Sequence, residues 1–162
     1  MAGTKVMALE LYSMTIPNGT YMLADQVYTQ CGGENVSPDL AWVGVPFEAK
    51  SLALVVHDPD APREHGFYHW IVVDIPTTVT KVAKGGKFAP PAREITTDFG
   101  VPGYNGPCPP VGHGVHHYHF TLYALDVANI ELDSGMTPHQ VAEAIRERAV
   151  GQATIIGLYE RR

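Results

Sequence analysis

Gly106-Pro107-Cys108-Pro109-Pro110-Val111-Gly112-His113-Gly114 runs straight into the aromatic, β-branched stretch Val115-His116-His117-Tyr118-His119-Phe120-Thr121-Leu122-Tyr123. Consecutive prolines hold φ near about −65° and donate no N–H, so Pro109 and Pro110 are barred from the interior of a sheet. From Val115 onward the residues suit a pleated, half-buried surface. Alternation places His116, Tyr118, Phe120 and Leu122 on one face, and His117, His119, Thr121 and Tyr123 on the other. The first face carries polar tips at the loop end and apolar bulk beyond it. That is the layout of a pocket at the edge of a core.

Other segments read mostly as strands. Residues 9–16 form a first strand closed by Pro17-Asn18-Gly19, and residues 21–27 a weaker one. Residues 40–43 re-enter extended structure around Trp42. Residues 51–57 (SLALVVH) are a nearly continuous apolar run, as expected of a strand covered on both sides. It stops at Asp58-Pro59-Asp60-Ala61-Pro62, a stiff extended corner. Residues 67–76 form the next strand, with His69, Ile71, Val73 and Ile75 on one face and Trp70, Val72 and Asp74 on the other. Residues 79–106 are loop-rich. Thr137-Pro138 opens a helix through Val141, Ala144, Ile145 and Arg148, with Gly151 as its terminator and residues 153–159 as a last strand. The fold class is mainly β: an antiparallel β-sandwich with one helix near the C-terminal end, in a single domain over residues 1–162.

A net charge of −6 with no Lys/Arg cluster argues against nucleic acid and anionic membrane surfaces as partners. No segment approaches the length of an apolar membrane span, so no integral membrane association is expected. Residues 1–10 carry one Lys and no long apolar run, which does not describe a secretory signal. The expected location is the cytoplasm.

Three strand ends carry the polar groups of interest: Asp58 and Asp60, His69, and His116 with Tyr118. Each has a plain reading. The Asp-Pro-Asp carboxylates cap turn N–H groups, and a lone strand histidine is a core residue bonded to a backbone carbonyl. Their joint position, each at the margin of an apolar strand, favours a shared site. A metal-dependent or acid–base enzyme is the alternative use of the same groups: Asp58, His69 and His116 offer two imidazoles and a carboxylate, and His117 and His119 have an i, i+2 spacing. No Cys-x-x-Cys or His-Glu-x-x-His signature accompanies them. Cys108, between prolines and near histidines, is a candidate activated thiol.

Asp58-Pro59-Asp60-Ala61-Pro62, the Tyr68-His69-Trp70 strand and Gly106-Pro107-Cys108-Pro109-Pro110 with Gly114, His116 and Tyr118 resemble, in order and spacing, the phosphatidylethanolamine-binding protein family. Glu34-Asn35-Val36-Ser37-Pro38, Trp42 and Tyr123-Ala124-Leu125-Asp126 are similar to its short prokaryotic, Raf-kinase-inhibitor-like (YbhB/YbcL-type) branch. The likeness runs from about residue 12 to residue 159. It implies a large central antiparallel sheet packed on a smaller one, with a small anion-binding cavity at one edge. By position, Asp58, His69, Pro110, His116 and Tyr118 would form the cavity, with Asp60 in support and with residues 35–38 and Trp42 nearby. The implied function is non-enzymatic binding of a phosphate- or carboxylate-bearing ligand, without a cofactor or metal, and regulation of a protein partner such as a kinase or protease. The oligomeric state stays open, a homodimer included.

Four expectations follow for these residues. The family usually has Arg where this chain has His117, and alternation turns that side chain away from the pocket, toward a carboxylate. Cys31 and Cys108 would lie in the two loops around the cavity, where a bridge between them is one alternative and two reduced thiols the other. A site of Asp58, Asp60, His69 and His116 contains no fixed cation, so anion binding would require that His69 or His116 be protonated, or that each Asp turn away while accepting from an imidazole. Either way the anion favours the imidazolium, and binding would strengthen from pH 8 toward pH 6. His116, at a strand end beside a loop, would tolerate truncation without unfolding.

Overall fold

The computed structural model describes residues 8–162. The two apolar runs singled out above lie side by side. β3 (Ser51–Asp58) and β7 (His116–Leu125) pair antiparallel from Ser51↔Leu125 to His57↔His119 without a break. They are the centre of a five-stranded sheet in the order β6-β4-β3-β7-β8, with β4 at Phe67–Ile75, β6 at Arg93–Glu94 and β8 at Ala149–Tyr159. A second sheet, order β1-β2-β5, is built from Glu10–Tyr12, Leu40–Val43 and Lys81–Val82.

The large sheet is covered on both sides, which accounts for the unbroken apolar run of β3. On one face Leu54, Val56, Trp70, Val72, Phe120 and Leu122 pack with Leu11, Leu40 and Trp42 of the small sheet. On the other, Val55, Ile71, Val73 and Tyr123 pack with Val141, Ala142 and Ile145 of α1 (Pro138–Glu147). The mainly β sandwich with a single late helix, followed by a last strand, is the architecture the residues predict. Thr137 caps the helix reciprocally: its Oγ1 accepts from the Gln140 N–H at 3.1 Å, and Gln140 Oε1 accepts from the Thr137 N–H at 2.9 Å. Gly151 is not its terminator. The helix ends at Glu147 and β8 begins at Ala149, so Gly151 lies within the strand, paired with Ala124.

β4 departs from simple alternation twice. Leu52 pairs with Ile75 and Leu54 with Val72, so two steps on β3 match three on β4. The extra residue is accommodated at Asp74, whose φ is +58°, a conformation Asp adopts more readily than β-branched neighbours do. Ile75 is thereby turned to the Trp70 and Val72 side, not to the side of Ile71 and Val73. The Asp74 carboxylate holds the bulge: Oδ2 accepts from Arg93 Nε at 2.6 Å and Oδ1 from the Ile130 N–H at 2.9 Å. The second irregularity is at His69, which has no partner between Val56↔Trp70 and His57↔Tyr68.

The first strand is shorter than its apolar pattern suggests. It ends at Tyr12 because the Asp39 carboxylate captures the N–H groups of Met14 and Thr15, each at 2.9 Å, and bends the chain. Residues 21–27 are turns, with Tyr21 alone bridging to Leu158. Within the loop-rich 79–106 segment the two short strands β5 and β6 add an edge to each sheet. The reading of residues 1–10 as no secretory signal falls, up to residue 7, outside the described residues. Among the described residues no helix is long and apolar enough to cross a membrane.

Candidate functional site

Antiparallel pairing brings the end of β3 beside the starts of β4 and β7, so Asp58, His69, His116 and Tyr118 meet at one corner of the large sheet. His116 and Asp58 form a buried pair, Nδ1 to Oδ2 at 2.6 Å. The other Asp58 oxygen accepts the Asp60 N–H at 2.9 Å, so this carboxylate also performs the turn-capping weighed for it. Beyond it, His116 Nε2 lies 2.6 Å from His113 Nδ1. With one ring proton on the Asp58 side, Nε2 of His116 accepts from the His113 N–H. Asp58, His116 and His113 thus form a continuous polar chain running from the core to the surface.

His69 does what a core histidine does. Its Nδ1–H donates to the Asn105 carbonyl at 2.8 Å, and its ring packs edge-on against Tyr118 and Phe99 at 5.1 and 5.3 Å. The bulge turns this ring to the Tyr118 side. Burial pushes its imidazole down to about 4, so it is neutral near pH 7. Burial likewise raises the Tyr118 phenol well above its ordinary range.

These groups line a cavity of about 300 Å³ whose walls are largely aromatic, from Tyr28, Phe67, Phe99 and Tyr118, with Pro110 among the loop residues. Five of the six expected site residues line this one cavity: Asp58, His69, Pro110, His116 and Tyr118. Asp60 does not. Its carboxylate turns to the other face of β7, where it accepts from the His117 backbone N–H at 2.8 Å and from the His117 ring at 2.7 Å. Burial opposes ionisation there, but these bonds hold Asp60 below the usual carboxylate range. His117 thus takes the structural, carboxylate-pairing role expected of an arginine at its position. Trp42 also lies away from the cavity, in the core, donating Nε1–H to the Val79 carbonyl at 3.0 Å.

Two further corrections concern charge and sulfur. The cavity does have a fixed cation: Arg63 lines it, with its guanidinium 4.9 Å from the Phe67 ring centre and 3.5 Å from Asp98 Oδ1. An imidazolium is therefore not the only source of positive charge, and neutral His69 does not supply one. Arg63 follows the Asp-Pro-Asp-Ala-Pro corner directly, and its place after that rigid turn was the one available signal. Cys108 is not a thiol. It is bridged to Cys31, with Cα atoms 5.7 Å apart, inside the range a disulfide spans.

The bridge is one of several ties on the Pro/Gly loop. The Tyr28 N–H donates to the Pro107 carbonyl at 3.0 Å, and Asn35 Oδ1 accepts the Gly106 N–H at 2.8 Å. Gly106 lies so close to the Gln26 carbonyl that an added Cβ would sit 1.7 Å from its oxygen. Arg161 Nε donates to the Pro109 carbonyl at 2.6 Å. Among the described residues no three His, Cys, Asp or Glu side chains are grouped so as to hold a metal ion, which leaves the metal-dependent alternative without a ligand set there.

Comparison with known proteins shows the family and the fold. A UPF0098 protein of Methanothermobacter thermautotrophicus is 45% identical over 135 residues, covering 81% of this chain and 87% of that protein. The crystal structure of Escherichia coli YbcL, described as a member of the mammalian PEBP family, superposes with a TM-score of 0.90 at 36% identity, over 96% of this chain and 100% of that one. A carboxypeptidase Y inhibitor, solved with its cognate proteinase, shares the fold at a TM-score of 0.55 and 21% identity, over 96% of this chain and 84% of that one. The model of the family described as phosphatidylethanolamine-binding protein matches residues 13–160, and the chain belongs to that family, in its YbhB/YbcL-type branch.

Proposed function

We propose that this chain is a non-enzymatic binding protein whose cavity takes the anionic head group of a small phosphate- or carboxylate-bearing ligand. The observation that carries the reading is the combination at one corner: Arg63 on the rim, the buried Asp58–His116 pair inside, and aromatic walls around about 300 Å³. Such a pocket suits a ligand with one charged end and an apolar or aromatic body. Arg63 supplies bidentate charge for the head group. Pro110 and the other loop residues limit access, and Asp60 supports the corner from outside through His117.

Calorimetry with phenyl phosphate and with benzoate tests the reading. Saturable binding of at least one is expected, weakened about tenfold or more in Arg63→Gln, the loss of one charged hydrogen-bond partner. Absence of binding by either, or unchanged affinity in Arg63→Gln, overturns it.

One observation favours an acid–base enzyme: the Asp58–His116–His113 chain orients an imidazole as general bases are oriented. Against it, no Ser, Thr or free thiol lines the cavity among the described residues. Turnover of p-nitrophenyl esters that disappears in His113→Ala would replace the binding reading by this one.

A protein partner of the kinase or protease class belongs to the same proposal, since this scaffold serves a proteinase inhibitor elsewhere. Inhibition assays against a serine carboxypeptidase and a protein kinase test it. The cytoplasmic location is also carried forward as a proposal. The Cys31–Cys108 bridge speaks against it, since that compartment keeps thiols reduced. Alkylation trapping in freshly lysed cells is the test, and a bridged pair recovered there sinks the cytoplasmic assignment.

A further inference from the structure

The strands that bring Asp58, His69 and Tyr118 to the candidate cavity turn the neighbouring residues His57, Tyr68 and His119 to the opposite face of the sheet. His57 is the register partner of both Tyr68 and His119, so the three form one row across β4, β3 and β7. With Thr121, Tyr123 and Arg146 of α1 they line a separate cavity of about 290 Å³.

Its charge is one-sided. Among the described residues no Asp or Glu lines it, in a chain whose net charge is −6. Arg63, Arg93, Arg148 and Arg162 each have a carboxylate within 4.0 Å, whereas Arg146 has none among the described residues. It lines the cavity together with Tyr68 and Tyr123. Neutral phenols beside it do not neutralise a cation.

Hydrogen-bond directions sharpen this. The His139 ring lies 3.0 Å from Glu143 through Nε2 and 2.8 Å from the Tyr68 oxygen through Nδ1. With Nε2–H donating to Glu143, Nδ1 accepts the Tyr68 O–H, and the Tyr68 proton is not available to the cavity. His57 spends its Nε2–H on the His65 carbonyl at 2.7 Å and stacks on Tyr68 at 4.2 Å. His119, a half-buried imidazole, has no hydrogen-bond partner among the described residues. The cavity therefore offers a fixed cation, the Tyr123 hydroxyl and an uncommitted imidazole N–H. Asp60, which acts on His119 from the same face of β7, is bonded to His117.

We infer that this second cavity binds the oxyanion of a small ligand, a carboxylate or a phosphoryl group, with Arg146 as the charge partner and His119 and Tyr123 donating beside it. The site is separate from the Arg63 cavity, and the two readings stand or fall independently.

The test is a titration of the histidine ring resonances by NMR with inorganic phosphate and with acetate, each exchanged against chloride at constant neutral pH and ionic strength. Saturable shifts at His57 and His119 are expected with at least one anion. A response to phosphate alone assigns the site to phosphoryl ligands, to acetate alone to carboxylates, and to both to oxyanions generally. Arg146→Gln, on the exposed side of the helix, should weaken the response about tenfold or more, while Arg63→Gln leaves it unchanged. His113 and His116 resonances unaltered in Arg146→Gln show that the variant is folded. No shift at His57 or His119 in the wild-type protein with either anion overturns the inference without recourse to any variant, as does an Arg146→Gln protein that titrates like wild type.

Discussion

His116 Nδ1 lies 2.6 Å from Asp58 Oδ2, and the two side chains are only 1% and 3% exposed. A carboxylate this deep is tolerated because it is partnered, by the ring on one oxygen and the Asp60 N–H on the other. His116 is therefore part of the core. Truncating it leaves a buried charge with a single donor.

His116→Ala is accordingly expected to lower unfolding free energy by about 3–5 kcal/mol, not to leave the fold untouched as its strand-end position suggests. Urea unfolding of His116→Ala, Asp58→Asn and the double variant should give a coupling of about 1–3 kcal/mol. A His116→Ala protein as stable as wild type would show that the pair does not hold this corner.

Gly106→Ala should damage the loop without touching any cavity side chain. The added methyl would lie 1.7 Å from the Gln26 carbonyl oxygen, backbone that cannot rotate away. Relief requires the loop to lift, which breaks the Tyr28 to Pro107 and Gly106 to Asn35 hydrogen bonds. We expect a loss of about 1–3 kcal/mol and, with Pro110 displaced, weaker phenyl phosphate binding. Wild-type stability together with wild-type affinity would show that the loop position is not set by this contact.

How much was legible in the chain differs between elements for physical reasons. β7 keeps a strict two-residue period because both its neighbours pair with it over most of its length, so its pocket and solvent faces follow directly from the residues. β4 does not, because a bulge displaces every later side chain by one face and leaves no periodic trace. The one hint was Asp74, a carboxylate in an otherwise apolar run. Its neighbours Arg93 and Ile130 are remote in sequence, so the bond set that rewards the bulge is invisible locally. Asp60 was misplaced, and Arg63 missed, for a related reason. A proline-rich corner declares itself as a turn, but which of its charged side chains faces inward depends on strands packed later. The Cys31–Cys108 bridge was one of two readings, since cysteine identity is silent on distance.

The bridge closes a separation of 77 residues. In the chain-entropy model a loop of that length contributes about 4–5 kcal/mol by restricting the unfolded chain. Cys31→Ser/Cys108→Ser should unfold at correspondingly lower urea than the oxidised wild type, and reductant should shift the wild type but not the variant. Identical midpoints with and without reductant would mean that the two sulfurs are not bridged in the purified protein.

The last expectation is a pH dependence of stability set by His69. Burial lowers this imidazole from 6.5 to about 4, so the folded ring stays neutral where the unfolded ring takes a proton. Between those values the unfolded chain binds more protons than the folded one, and unfolding free energy rises with pH. The contribution is complete above about pH 6.5 and is lost as pH falls toward about 4, with a total of about 3 kcal/mol. Burial also lowers His57 and His119, which act in the same direction. Asp60, held below its ordinary value, adds a loss only at still lower pH. His69→Gln removes the titrating ring while an amide N–H still reaches the Asn105 carbonyl, so it separates the titration from the hydrogen bond. Urea unfolding of both proteins at about pH 7 and about pH 4.5 should show a clearly smaller acid loss in the variant. Equal losses would mean that the His69 ring accepts a proton in the folded state, and that the aromatic wall around it admits water.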